Sequence, residues 1–252
     1  MILDQFQLEG KTAVVTGGTR GLGQAMARGL AQAGADLVLV SRSPNPDFQA
    51  EMEGLGRRCV HFPADLGQRA EAKRVIPELA ESFPRLDILI NDAGICPRTE
   101  IVDFKEEDWD RTLELNLSAA FFLSQAAGRE MIKAGGGKII NVGSIMSFQG
   151  GILIPSYAAT KHGLAGLTKS LANAWAGKGV NVNAIAPGFF ETDLTAPLIN
   201  DPVRSASLLE RVPAGRFGRP EELAGAAVFL ASEAASFVHG AVITVDGGWL
   251  AW

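Results

Sequence analysis

Apolar residues along this chain come in short runs separated by longer stretches with helical spacing. TAVVT at 12–16 is a compact apolar run. GQAMARGLAQAG at 23–34 follows, with apolar positions three and four apart and a closing glycine, so the pattern predicts a strand and then a helix. The alternation repeats, with strands predicted at 36–41, 58–64, 86–91, 137–144, 180–187 and 241–246. Helices are predicted in a short stretch ending at Leu55 and at 68–83, 106–133, 156–178 and 220–231. The strands are apolar at nearly every position rather than at alternate ones. Such strands are covered on both faces, and strand–helix alternation at this rhythm builds parallel βαβ units. The expectation is one α/β domain spanning 1–252, a doubly wound parallel sheet of about seven strands with helices on both faces. The segment 188–219 breaks the rhythm with Pro197, Pro202 and Pro213, and is expected to be a mobile lid over a substrate site.

Composition narrows the function. A chain of 252 residues with 47% hydrophobic content is long enough for one large core. The net charge is −5 and there is no basic block, which argues against nucleic acid as a partner. No apolar run approaches the length of a membrane span, and the start, MILDQFQLEGK, has no cationic stretch leading into an apolar core; no membrane association and no signal peptide are expected. Cys59 and Cys96 lack metal-ligand spacing and are expected to be free thiols in a reducing cytoplasm. The three histidines are scattered, so no metal site is expected.

In a doubly wound sheet, ligands bind outside the carboxyl ends of the strands. Strand one ends in TGGTRGLG, which places Gly17, Gly21 and Gly23 in G-x-x-x-G-x-G spacing, with Thr19, Arg20 and Leu22 between them. A glycine loop between a strand and a helix lets backbone approach a pyrophosphate at the helix N-terminus, so a dinucleotide is expected here. Strand two ends at Ser41, with no acid to bond a ribose hydroxyl, and Arg42 follows. Arg20 and Arg42 together suit a 2′-phosphate, which favours NADP(H) and leaves NAD(H) possible. Asp65, followed by Leu66 after strand three, suits either an adenine amino group or a helix N-cap. PSYAATKHG at 155–163 holds the chain's single tyrosine, Tyr157, one helical turn before Lys161. An ammonium beside a phenol favours the phenolate, which makes the pair a candidate acid/base; a half-exposed aromatic with a surface charge is the plainer alternative.

Taken in order, TGGTRGLG, NDAG at 91–94, Asn116, Ser144, Tyr157 with Lys161, and PGFFET at 187–192 resemble the short-chain dehydrogenase/reductases over essentially the whole chain. Asp92 departs from the family's usual N-N-A-G, while Asn91, Ala93 and Gly94 keep it. The resemblance implies a Rossmann-type domain, a nicotinamide cofactor and a homotetramer. It implies that Tyr157 exchanges a proton with the substrate oxygen, that Lys161 lowers the tyrosine pKa and bonds the nicotinamide ribose, and that Ser144 holds the same substrate oxygen. Asn116 would hold a relay water. Pro187, Gly188, Phe190 and Thr192 would shape and bond the nicotinamide side of the site.

A narrower resemblance rests on SIMSFQGGILIPSYAATK at 144–161, VNVNAIAPG at 180–188 and VDGGWLA at 245–251. These stretches are similar to the 2-dehydro-3-deoxy-D-gluconate 5-dehydrogenases, also described as 2-deoxy-D-gluconate 3-dehydrogenases. The implied reaction is reversible oxidation of a secondary alcohol to a ketone on a deoxy sugar acid. Arg98 would then meet the substrate carboxylate, Met146 and Gln149 would line its carbon chain, and Cys96 would lie in the pocket wall. Trp249 and Trp252 are expected in a subunit interface or in the core. Two other readings stand beside this one. The first is an NADPH-dependent reductase of another carbonyl, a 3-oxoacyl thioester or a xenobiotic ketone. The second is a nucleotide-sensing scaffold without chemistry.

Overall fold

The structure, a computed structural model, describes residues 1–251, so the expectation for Trp252 lies outside the described residues. Seven strands form one sheet: β1 (Thr12–Thr16), β2 (Asp36–Ser41), β3 (Cys59–Pro63), β4 (Ile88–Asn91), β5 (Gly137–Val142), β6 (Val180–Pro187) and β7 (Val242–Val245). Their order is β3-β2-β1-β4-β5-β6-β7 and every pairing is parallel. The chain winds outward from β1 to β3 and then returns to β4 at the other side of β1. The connections leaving β1 and β4 therefore diverge and open a crevice at their carboxyl ends. Thr16 pairs with Asn91 at that edge.

The apolar runs are explained by what covers them. In β1 and β2, Val15, Leu37 and Leu39 face one core with Met26 and Leu30 of α1 (Gly21–Gln32) and Leu230 of α9 (Ala224–Ala231). Val14, Val38 and Val40 face the other, with Val75 and Leu79 of α3 (Arg69–Ser82) and Leu123 of α5 (Ala119–Lys133). Each alternate residue thus buries on an opposite face, and only the end positions Thr12, Asp36 and Ser41 are half-buried.

Three elements differ from the sequence pattern. The helix expected over 106–133 is α4 (Glu106–Leu113), a π-helical turn (Glu114–Ser118) and then α5. The segment 188–219 is not irregular throughout. It holds α7 (Ala196–Ile199) and α8 (Pro202–Leu209), and its prolines Pro197 and Pro202 sit in first turns, where a missing N–H costs nothing. Asp201 caps α8, its Oδ1 accepting from the backbone nitrogens of Val203 (2.9 Å) and Arg204 (3.0 Å). The predicted helix at 220–231 starts as a 3-10 turn over Pro220–Leu223 and becomes α9. The remaining helices are α2 (Pro46–Gly54) and α6 (Pro155–Trp175).

A third, smaller apolar cluster lies away from the two sheet faces. Ile145, Met146, Leu208, Val212, Phe217 and Trp249 form it, and Tyr157, Ile154 and Phe189 pack against it. It joins the turn after β5, the 188–219 segment and the C-terminal segment.

Candidate active site

The crevice begins at Thr16. Its hydroxyl accepts from the backbone nitrogens of Asp92 (2.9 Å) and Ala93 (3.1 Å) and donates to the Ile90 carbonyl (3.3 Å). One side chain at the end of β1 therefore fixes the turn after β4. The Asp92 carboxylate then lies against the glycine loop. A Cβ at Gly23 would stand 2.5 Å from the Gly17 carbonyl oxygen and 2.6 Å from Asp92 Oδ2, so only glycine fits there. Gly17 adopts φ +67°, which a side chain would strain. Burial pushes the Asp92 carboxyl up to about 6, while Lys161 and the Gly23 N–H hold it down. Helix α1 starts at Gly21 with no side-chain cap and no acid in its first turn. The Gly21 and Leu22 amides and the positive dipole end thus remain open to an anion, and the bare glycine cradle admits a close-lying pyrophosphate. On these two observations the residues present fit a dinucleotide.

Two elements bring the chemical groups together. Ser144 caps a 3-10 turn over Ile145–Ser147, its Oγ accepting from Met146 N at 3.1 Å. Tyr157 lies in the first turn of α6, begun by Pro155, and Lys161 lies one turn on. Burial pushes the Tyr157 phenol above its usual range; the Ser144 hydroxyl pulls it down, Cys96 and Asp92 push it up, and Arg98 pulls it down. Lys161 Nζ donates to the Val142 carbonyl at 2.6 Å, and stands 5.4 Å from the Tyr157 ring centroid. Burial lowers the Lys161 ammonium itself to about 8, against the pull of Asp92 and Cys96.

Asn116 occupies the π-helical turn and is buried. Its Oδ1 accepts from Ile95 N (2.9 Å), and its Nδ2 donates to Ile95 O (2.9 Å) and to Thr160 Oγ1 (3.4 Å). The amide clamps the turn after β4. A cavity of about 10 Å³ lies beside it, lined by Thr16, Asn91, Asn116 and Lys161 among others, at the lower limit for one water. Asn91 Nδ2 donates to Ser124 Oγ (3.0 Å) and Asn141 Oδ1 (2.9 Å), and its buried Oδ1 has no partner among the described residues.

The other predicted cofactor residues divide into open and committed groups. Arg42 is exposed and makes no ion pair among the described residues. Arg20 faces Asp193 of the 188–219 segment at 3.7 Å. Ser41 Oγ donates to the Ser43 carbonyl (2.8 Å) and meets His61 Nε2 (3.0 Å). The Thr19 carbonyl accepts from Asn45 Nδ2 at 3.0 Å. Asp65 accepts from Gly67 N (3.1 Å) and Gln68 Nε2 (3.4 Å), which closes a turn before α3, whose own N-cap position is Gln68, and Leu66 is buried in the core. Leu22 packs against the core cluster, and Gly94 lies beside the Asn116 amide. Pro187 ends β6, and Gly188 N donates to Val245 O at 2.9 Å. The Phe190 ring is buried in the sheet core, so this residue can serve a ligand through its backbone alone. Thr192 Oγ1 meets Thr195 Oγ1 at 3.1 Å.

On the substrate side, the Arg98 charge acts against burial at both the Cys96 thiol and the Tyr157 phenol. Cys96 is half-buried, and burial pushes its thiol up. Met146 is buried in the third cluster. Gln149 accepts from Trp249 Nε1 at 2.8 Å, a link that sequence reasoning missed. Trp249 itself is buried within its own chain, which is the core alternative given for it. Sequence reasoning also missed Thr16, whose signal was a hydroxyl at the last position of an apolar strand, and Leu153, the one non-glycine residue at positive φ (67°) among those described. Leu153 O accepts from Thr99 N at 3.1 Å, which ties the Arg98 loop to the loop after β5.

Known proteins resemble this arrangement along its whole length. A family model described as enoyl-(acyl carrier protein) reductase matches residues 17–250. A 2-dehydro-3-deoxy-D-gluconate 5-dehydrogenase of Escherichia coli is 49% identical, covering 100% of both chains. A protein of the same description from Bacillus subtilis is 48% identical, covering 98% of this chain and 97% of its own. A gluconate 5-dehydrogenase from Burkholderia cenocepacia, solved in complex with NADP and tartrate, superposes with a TM-score of 0.95 at 39% identity over 100% of both chains. With its glycine loop, seven-stranded parallel sheet and Ser144–Tyr157–Lys161 cluster, the chain belongs to the short-chain dehydrogenase/reductase family of oxidoreductases.

Proposed function

We propose that the protein reversibly oxidises a secondary alcohol to a ketone on a deoxy sugar acid of the 2-deoxygluconate or 2-dehydro-3-deoxygluconate class, with NADP(H) favoured over NAD(H). The observation that carries this reading is the convergence of Ser144, Tyr157 and Lys161 beside an open glycine cradle. The descriptions of the Escherichia coli and Burkholderia cenocepacia relatives support the substrate class and the cofactor.

When bound, the nicotinamide accepts or supplies the hydride. The chain's residues hold, orient and move protons. Gly17, Gly21 and Gly23 with the first amides of α1 receive the pyrophosphate. Arg42, with Arg20 once it leaves Asp193, meets the 2′-phosphate. Ser144 and Tyr157 bond the substrate oxygen, and Tyr157 Oη takes its proton during oxidation or returns it during reduction. Arg98 pairs with the sugar-acid carboxylate. Burial favours the neutral phenol, so Tyr157 is ready as a proton donor for ketone reduction and must be ionised for oxidation. Oxidation should therefore quicken as pH rises while reduction holds level below the phenol's raised pKa, which initial rates in both directions would measure. The 188–219 segment acts as a lid over this site. The protein works as a cytoplasmic homotetramer; no helix among the described residues is long and apolar enough to cross a membrane.

The test is oxidation of 2-deoxy-D-gluconate followed by nicotinamide absorbance, with NADP and NAD side by side. Turnover is expected on the sugar acid, faster with NADP. Tyr157→Phe should lower kcat by about a thousandfold or more, a loss at the upper part of the range for removing an acid/base, and leave the NADP Kd within about twofold. Full activity in Tyr157→Phe would refute the assigned chemistry. Activity confined to unrelated ketones would leave the oxidoreductase and replace the substrate.

A further inference from the structure

Trp249 has no role in the chemistry described so far, yet it is built into the site. Its ring is 3% exposed. The Phe189 ring meets it edge-on, with centroids 5.0 Å apart, and the Arg211 guanidinium lies 4.0 Å from its centre. Asp246 holds the segment that carries it, its two carboxylate oxygens accepting from Gly248 N (2.9 Å) and Leu250 N (3.0 Å). Trp249 shares its apolar cluster with Met146, Ile154 and the ring of Tyr157.

This fixed ring donates its one N–H to Gln149 Oε1 at 2.8 Å. An indole can only donate, so the atom of Gln149 facing it must be the carbonyl oxygen, and the amide nitrogen must point away. Gln149 is half-buried, three residues beyond Met146, and its Nε2 makes no hydrogen bond among the described residues. The amide of a free glutamine can present either end to a ligand. Here one end is taken.

We propose that Trp249 is a positioning residue for substrate selection: it holds Gln149 with Nε2 presented to the substrate pocket as a donor, so the pocket selects substrates that carry an oxygen acceptor at that point. The proposal rests on the sugar-acid reading, since a carboxylate or hydroxyl oxygen is the acceptor in question. Arg211 of the 188–219 segment stacks on the same ring, so the relay runs from that segment through Trp249 to Gln149.

Two variants test this in the NADP-saturated protein, by turnover of 2-deoxy-D-gluconate and by calorimetric binding of tartrate, which needs no reaction. Trp249→Phe keeps the ring packing and removes the donor, leaving Gln149 to turn over. KM and Kd should rise about tenfold, the worth of one ordinary hydrogen bond. Gln149→Glu keeps an acceptor for Trp249 and presents a carboxylate oxygen in place of the donor. KM and Kd should rise by about thirtyfold or more, as for a hydrogen bond to a charged group. In both variants kcat and the NADP Kd should stay within about twofold, a split that a merely structural role would not produce. Unchanged KM and Kd in Gln149→Glu would overturn the proposal, and so would an equal fall of kcat on sugar acids and plain ketones in Trp249→Phe. Failure of the wild type on every sugar acid would remove the substrate reading and this inference together, whereas wild-type activity with indifferent variants would remove the inference alone.

Discussion

At Asp92 a carboxylate is packed against the loop that must receive an anionic ligand. Its pKa in the fold, about 6, lies above the ordinary 3.8 because burial outweighs the pull of Lys161 and the Gly23 N–H. For an acid whose folded pKa is raised, the folded state binds more protons than the unfolded one between the two values. Stability therefore falls as pH rises from about 4 to about 6, and the penalty, up to ~3 kcal/mol, is complete above that window. Asp92→Asn removes the charge and keeps an oxygen for Gly23. Thermal melts should show it more stable than wild type at pH 8, with the gain vanishing near pH 4. A constant difference across that range would mean the carboxylate is not desolvated in the fold. Arg42 carries a second prediction at this scale, because it is exposed and has no ion pair among the described residues, as the proposed 2′-phosphate contact requires. Arg42→Ala should raise the KM for NADP about tenfold, within the worth of a charge-assisted hydrogen bond, and leave that for NAD unchanged in steady-state rates.

Among the elements, the π-helical turn at Glu114–Ser118 brings Asn116 to the site. An inserted residue swings its amide onto the backbone of Ile95, where it makes two hydrogen bonds of 2.9 Å. Asn116→Ala would leave a buried N–H and C=O without partners, at a cost of about 2–4 kcal/mol in urea unfolding. Asn116→Asp would keep the acceptor for Ile95 N and should lose less; equal losses would put the cost in packing rather than in the clamp. This turn was illegible in the sequence, because apolar spacing over 106–133 continues through it without a break. The strands were legible for the opposite reason. Val14 and Val15 bury on opposite faces, so the run had no polar position to misread. The same contrast holds at the site. Tyr157 and Lys161 lie one helical turn apart, and their nearness follows from local geometry. The partner that Lys161 takes, the Val142 carbonyl, and the Trp249–Gln149 bond across 100 residues of chain, are set by tertiary packing that no local spacing encodes.

Across the whole molecule, the third apolar cluster shares no buried residue with either sheet-face core. Leu208 is its contribution from α8, and Trp249, Met146 and the Tyr157 ring are what it grips. Segments that pack on a small separate cluster open with less free energy than the strands of a sheet. The 196–209 part of the segment should therefore exchange its amides by local opening, while its start stays with the sheet through Phe190 and β1, β4 and β5 exchange only on global unfolding. Leu208→Ala separates the two. A buried leucine truncated to alanine loses about 2–5 kcal/mol where the whole structure feels it. Here the loss should fall on the local opening, quickening exchange at 196–209 by about thirtyfold or more and raising KM for the substrate. The sheet amides and the melting temperature should hardly move. Leu89→Ala, in the core of β4, should instead speed exchange everywhere and lower the melting temperature by several degrees. If Leu208→Ala also accelerates the sheet amides, the segment folds as one unit with the sheet, and substrate access cannot be governed by its opening alone.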